Sequence, residues 1–362
     1  MMGTLYYYEV KKILCQKVLW VAVLLMTLVL IGSGLADVIA GKSTDSESCK
    51  RFSGRMIDDA LLEEVQEAPN SEDFIVFRNF ITFCMGGSEH GLVDAEQVYN
   101  ARKETSEKQM TQELLTEKEK EYWHKKESEV KKPFTYYYEE GFAGIYSSIY
   151  AANFMLLLLT AIAVCGLFSD ERLNCTDQII YSSVKKEMLF TVKILAGLST
   201  GELLALYLFA LLSGCSFGIY GVSGFNTPIQ LRIPGCMLNI TIGESFLYLF
   251  MLFMIAGIIY AAFSMLLSQV LGSRSAATAI MVMGLFLSMV NVPEKLGGIS
   301  KIWSYLPGAY IGSWTFTEYR LISVCGRYFN NLQAAPVLWL IASALFFIAT
   351  KIAYQRYQVQ GR

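Results

Sequence analysis

Hydrophobic and polar positions alternate along this chain in long blocks. Val18–Ala36 is an unbroken apolar run, and a polar stretch of about a hundred residues follows it. Ile145–Phe168 is apolar again, then 169–188 is polar, and Leu189–Leu212 returns to apolar residues. Ser245–Leu267, Ala276–Val292 and 336–353 complete the series. Each block approaches the ~20 apolar residues that carry a helix across a ~30 Å hydrocarbon layer. The pattern predicts an all-α integral membrane protein of six spans.

The joints have patterns of their own. Residues 1–17 mix aromatics, aliphatics and three lysines at helical spacing, which reads as an interfacial helix leading into the first span. That span is too long for the ~7–15-residue core of a cleaved signal peptide, so it is read as retained. The insert, 37–144, holds two amphipathic segments, Met56–Glu67 and Asp73–Phe83, separated by Ala68-Pro69-Asn70-Ser71. Leu92–Val130 then predicts one or two solvated helices with i,i+4 support such as Glu104–Lys108, stopped by Pro133. Residues 213–244 form a Gly-rich joint with Pro228 and Pro234, and 268–275 a very short one. In 293–335 the aromatic stretch Ile302–Leu321, broken by Pro307-Gly308, is too short to cross twice. It predicts a re-entrant or interfacial helical pair with Trp303, Tyr305, Tyr310 and Trp314 at headgroup level. A basic tail, 354–362, closes the chain.

Composition agrees with the pattern. Of 362 residues 54% are hydrophobic and only 17% charged, with a mean hydropathy of +0.39. The formal net charge of −2 conceals segregation, because most acids fall in Gly41–Glu140. Lysine and arginine in the short joints set the orientation. Lys11, Lys12, Lys17, Arg172, Lys185, Lys186, Arg274, Lys351, Arg356 and Arg362 share one side, against Arg232 alone in the opposite joint. Both termini and 169–188 are therefore expected in the cytoplasm, and the insert outside.

Chemistry is sparse. No phosphate-binding G-x-x-x-x-G-K-[ST] loop, H-E-x-x-H or G-x-S-x-G motif occurs. The chain is thus expected to be no ATPase itself and to bind no cofactor. Two histidines and eight scattered cysteines without a C-x-x-C pair argue against a metal site. With the insert outside, Cys49–Cys84 and Cys215–Cys236 are candidate disulfides, the alternative being unpaired thiols. Glu202, deep in the third span, is costly there and reads either as part of a translocation path or as a partner of Ser199 or Thr200. Asn153 and Asn291 are weaker path candidates, since polar residues on packed spans more often join helices. Lys193 is expected to snorkel toward the inner face. Asn239-Ile240-Thr241 matches a glycosylation sequon.

The joint 169–188 organises the rest. Thr176 suits an N-cap, Asp177 a first helical turn, and Ile179, Ile180 and Val184 make an apolar patch beside Tyr181. With Asp170, Glu171, Thr176-Asp177, Ile179-Ile180, Ser182-Ser183, Lys185 and Lys193, it resembles the inner loop of ABC-2 type transporter permeases. Tyr305-Leu306-Pro307 is similar to that family's outer motif before the last span. The resemblance implies a transmembrane subunit in a bacterial plasma membrane that pairs with a second permease, a copy or a different chain. It also implies two cytoplasmic ABC ATPase subunits, which carry ATP and Mg, and no nucleic-acid partner. Asp170, Glu171, Thr176, Asp177, Ile179, Ile180 and Val184 would then be the coupling element docked on the ATPase. The large insert is similar to that of bacterial relatives that extrude sodium or remove peptide antibiotics, which favours export of a peptide or other amphiphile. A non-transporting sensor whose insert binds a ligand is the rival reading.

Overall fold

The computed structural model describes residues 2–39, 49–67, 74–84, 94–113, 115–177, 179–180, 185–290, 292, 298–324 and 326–357. Val184 and Asn291 lie outside the described residues, as do Tyr181, Ser182 and Ser183.

Five described helices are long and apolar enough to cross a membrane. They are α2 (Lys17–Ile39), α7 (Glu140–Val164), α9 (Lys186–Tyr220), α10 (Ile242–Leu271) and α14 (Asn331–Arg356). α7 and α10 form the interior of the bundle, with α9 packed on both and α14 along α10. α2 lies outermost, its Val21, Leu24, Leu25 and Leu28 facing away from the protein. At 1.5 Å per residue the 35-residue α9 reaches ~50 Å, longer than a ~30 Å hydrocarbon layer. It meets α10 through small residues. A Cβ on Gly201 would sit 3.0 Å from Ala261 Cβ, and one on Gly257 3.1 Å from Ala205 Cβ.

The fifth expected span differs. Its helix, α11 (Arg274–Ser288), has 15 residues and rises only ~22 Å before Met289 and Val290 turn out of it. Hydropathy continues past Ser288, and the helix does not. The aromatic stretch that follows packs against its end. It holds α12 (Gly298–Ser304), α13 (Pro307–Tyr310) and a 3-10 turn at Ser313–Thr317. Gly308 seats α13 on the end of α11, where a Cβ would collide with Ser288 Oγ at 2.4 Å. Trp303 Nε1 donates to the Val290 carbonyl at 2.9 Å and Trp339 Nε1 to that of Tyr305 at 2.7 Å. Tyr310 is buried against Trp339 instead of lying on the protein surface. A β-hairpin follows that the all-α reading did not contain. β1 (Ile322–Val324) pairs antiparallel with β2 (Arg327–Phe329), and Gly326 takes the positive φ the turn needs.

The insert folds around a second core built from α3 (Asp59–Glu67), α4 (Ile75–Cys84) and α5 (Ala95–Gln112), with Leu61, Phe77, Phe80, Val98, Phe134 and Tyr136 at its centre. Its two ends run side by side, Ile57 N donating to Phe134 O at 2.9 Å and Tyr136 N to Arg55 O at 2.8 Å. Leu92–Val130 is divided into α5 and α6 (Glu117–Ser128). Thr116 opens α6 by donating its amide and hydroxyl to Glu119 Oε2, each at 2.8 Å. Arg102 of α5 is fully buried, paired with Glu127 of α6 and donating to the Pro234 carbonyl at 2.9 Å. Trp123 Nε1 donates to the Tyr319 carbonyl and Tyr319 Oη to that of Gly235, both at 2.6 Å. Insert, 213–244 joint and the stretch 298–321 are thereby packed together.

The candidate disulfides are not formed in the structure. Cys236 is fully buried with its thiol toward Leu238 O, whereas Cys215 on α9 faces Gly34 of α2. Cys84 is buried in the insert core, and Cys49 stands beside the Tyr136 phenol.

Candidate functional site

The chain leaves α7 at Val164 and turns through 165–168 into α8 (Ser169–Leu173). Two backbone amides, of Phe168 and Ser169, donate to Ser268 Oγ at 3.1 and 3.2 Å, which pins this turn to the end of α10. Past α8, Cys175 takes a left-handed φ of 54°, a conformation that costs of order 1 kcal/mol outside glycine. Thr176 then folds back, its amide and hydroxyl both donating to the Glu171 carbonyl at 3.0 and 3.3 Å. Ile180 N bonds Thr176 O at 3.1 Å, so a helical turn begins at Thr176.

Under this segment lies a buried charge cluster. Lys193 of α9 is closed to solvent and does not snorkel. Its Nζ donates to Glu171 Oε1 at 2.5 Å, to Leu167 O at 3.0 Å and to Glu9 Oε1 at 3.1 Å. An unpaired buried ammonium would cost several kcal/mol, and three acceptors offset that. Glu9 comes from α1 (Met2–Leu14), whose Lys12 also donates to Glu171 Oε1, at 2.8 Å. Burial opposes the charge on Lys12, but the carboxylates of Glu171 and Glu9 outweigh it and raise its pKa. Two acids and two bases cancel, and they join α1, α8 and α9 at one point.

A second ring of contacts surrounds the first. Arg274 at the start of α11 donates to Gln16 Oε1 at 2.5 Å and to the Ile162 carbonyl at 2.7 Å, with Asp170 Oδ2 at 3.6 Å. Arg172 donates to Gln269 O at 2.8 Å and lies over the Tyr357 ring, 3.8 Å from its centroid. Tyr357 Oη in turn donates to buried Asp177 at 2.9 Å, and Lys186 Nζ to Tyr357 O at 3.0 Å. The segment 169–180 therefore touches α1, α9, α10, α11 and the chain following α14.

Of the expected coupling residues, Asp170, Glu171, Thr176 and Asp177 converge here. Ile179 is 70% exposed and Ile180 half-buried, at the lip of a groove of about 440 Å³ between α1 and 170–180. The path candidates do not converge. Asn153 is fully buried, its Nδ2 donating to Pro307 O at 2.9 Å and its Oδ1 accepting from Tyr260 at 3.1 Å, so it fastens the turn at Pro307 to the bundle. Glu202 lies on the α9–α10 seam beside Gly257, and its Oε1 has no hydrogen-bond partner among the described residues. Ser199 and Thr200 both bond Ala196 O instead of Glu202. Sequence reasoning missed Glu9 and Lys12 as members of the site. Their signal was a Glu–Lys pair three residues apart, on the buried side of an otherwise exposed helix.

Among the described residues no group of His, Cys, Asp and Glu is arranged to hold a metal ion. No curated protein and no solved structure matches the chain. A family model described as ABC-2 family transporter protein matches residues 72–352, which is most of the chain, from within the insert into the last long helix. With five membrane-length helices and that match, the chain belongs to the ABC-2 family of transporters, as a transmembrane permease that works with ATP-hydrolysing partners.

Proposed function

We propose that this chain is one membrane half of an ATP-driven exporter in a bacterial plasma membrane, paired with a second permease and two cytoplasmic ATPase subunits. In this reading both termini face the cytoplasm, and α11 with the re-entrant turn stacked on it makes the sixth crossing. Residues 169–180 are the coupling element. The observation that carries the reading is the Lys193–Glu171–Glu9 cluster. A push on Ile179 and Ile180 is transmitted through Thr176 to the Glu171 carbonyl, and through the Glu171 side chain to α1 and α9 together. A surface loop helix with no mechanical task has no need of a solvent-excluded ionic anchor at its base. The cargo is an amphiphile, which suits a bundle whose mouth is covered by a folded insert.

Cysteine cross-linking tests the arrangement. Ile179→Cys is expected to cross-link to a co-expressed ATPase, while Val222→Cys, at the far end of α9, is not. A cross-link at both positions, or at neither, contradicts it.

A further inference from the structure

The inner end of α14 is fastened to the coupling segment through one side chain. Tyr357 caps α14, and its half-buried ring reaches two residues on either side of the left-handed kink at Cys175. Before the kink stands Arg172, whose guanidinium lies 3.8 Å from the ring centroid. After it stands Asp177, which is buried and accepts from Tyr357 Oη at 2.9 Å. One side chain thus grips both halves of the bent segment.

Each contact meets a need of the group it touches. Arg172 gives Nη1 to the Gln269 carbonyl, and its Nε and Nη2 are buried without a hydrogen-bond partner among the described residues. The tyrosine face offsets the charge on that side, a cation–π contact away from water. Asp177 is an acid shut from water, and the phenol hydroxyl supplies it a donor. The other end of the joint is tied to the same place. Lys186, at the start of α9, donates to the carbonyls of Tyr357 at 3.0 Å and Gln355 at 3.4 Å, where a helix has no acceptors' partners of its own left. Tyr354 packs between Phe168 and Phe190, at 5.7 and 5.2 Å between centroids. Packed rings can slide, because apolar contact is non-directional, whereas a hydrogen bond holds a direction.

We propose that Tyr357 is a positioning residue of the coupling element: it sets the angle across the kink and makes the inner end of α14 move with 169–180. α14 packs chiefly along α10, and the ionic cluster at Glu171 reaches α1 and α9 alone. Through Tyr357 a displacement of the segment is shared by α1, α9 and α14 together. The inference rests on the coupling reading and extends it to a third helix.

Hydrogen exchange of the full chain reads the brace and the movement separately. Tyr357→Phe keeps the ring over Arg172 and loses only the bond to Asp177. In nanodiscs without the ATPase, the amides of Cys175, Thr176 and Ile180, all bonded within the segment, are expected to exchange about tenfold faster in this variant, the factor for one hydrogen bond to a charged group. Asp177→Asn keeps an oxygen acceptor and is expected to stay near the wild type. In the assembled complex, trapping the ATPase with ATP and vanadate is expected to change exchange at 351–356 in the wild type and in Asp177→Asn, and to leave it unchanged in Tyr357→Phe. A brace with no part in coupling would move the first reading and not the second. Wild-type exchange of the three amides in Tyr357→Phe overturns the proposal. So does a vanadate response at 351–356 that survives in that variant or is absent from the wild type. The Ile179→Cys cross-link keeps the two claims apart. A cross-link alongside a surviving response removes Tyr357 and leaves the coupling reading standing, whereas no cross-link in the otherwise wild-type chain removes both.

Discussion

Lys193 Nζ lies 2.5 Å from Glu171 Oε1 in a position where the lysine is closed to solvent. The two residues belong to different helices, and a third, α1, supplies Glu9 to the same ammonium. Removing one member leaves the other charge buried with only Glu9 or Lys12 to offset it, which costs up to ~3–5 kcal/mol. Lys193→Met and Glu171→Gln are each expected to lower the thermal unfolding midpoint of the detergent-solubilised chain. The Lys193→Met/Glu171→Gln pair is expected to lose much less than the sum. Additive losses would show that the two side chains do not act on one another.

The turn at Pro307 depends on Asn153. Asn153→Leu removes both the bond to the Pro307 carbonyl and the acceptor for Tyr260, and leaves two buried polar groups without partners. The expected loss is ~2–4 kcal/mol, against ~1 kcal/mol for Tyr260→Phe. Thermal unfolding of the two variants side by side checks the ratio. Equal losses would mean that the Pro307 contact carries no weight.

Glu139 titrates in a useful range. Burial raises its carboxyl pKa to about 7 from the ordinary 4.5, and Arg232 only partly reverses the shift. An acid whose folded pKa is raised binds more protons folded than unfolded between those two values, so its contribution to stability falls as pH rises from about 4.5 to about 7. The span of the effect is up to ~3 kcal/mol. Glu140, Tyr136, Tyr146 and Arg232 share that environment. Glu139→Gln is expected to flatten the pH dependence of amide-exchange protection around 135–140. The same slope in the variant and the wild type would assign the dependence to another group.

The long helices were legible because an apolar run of membrane length has few other uses. α11 stops short of its apolar run because hydropathy records where residues like to be and not where a helix stops: Met289 and Val290 continue the run after the backbone has turned. The hairpin after Leu321 had a local signal, β-branched residues before a glycine turn, but an aromatic region invites a membrane-interface reading. Lys193 shows the deeper limit. Its partner Glu9 is 184 positions away, and nothing local separates a lysine that reaches for water from one that turns inward. The same holds for Arg102 and Glu127, two ordinary charged residues on polar helices until the insert folds and shuts them from solvent.

The central claim is that residues 169–180 receive force from an ATPase. Its most direct measurement is ATP turnover by the assembled complex carrying Ile179→Asp together with Ile180→Asp. These side chains line the groove together with Glu9, Lys12 and Glu171 but make none of the ion pairs of that cluster, so the chain is expected to insert and to unfold close to the wild-type temperature. Cargo-stimulated turnover is expected to fall to the basal level. Stimulation equal to the wild type, in a variant that inserts normally, would contradict the account.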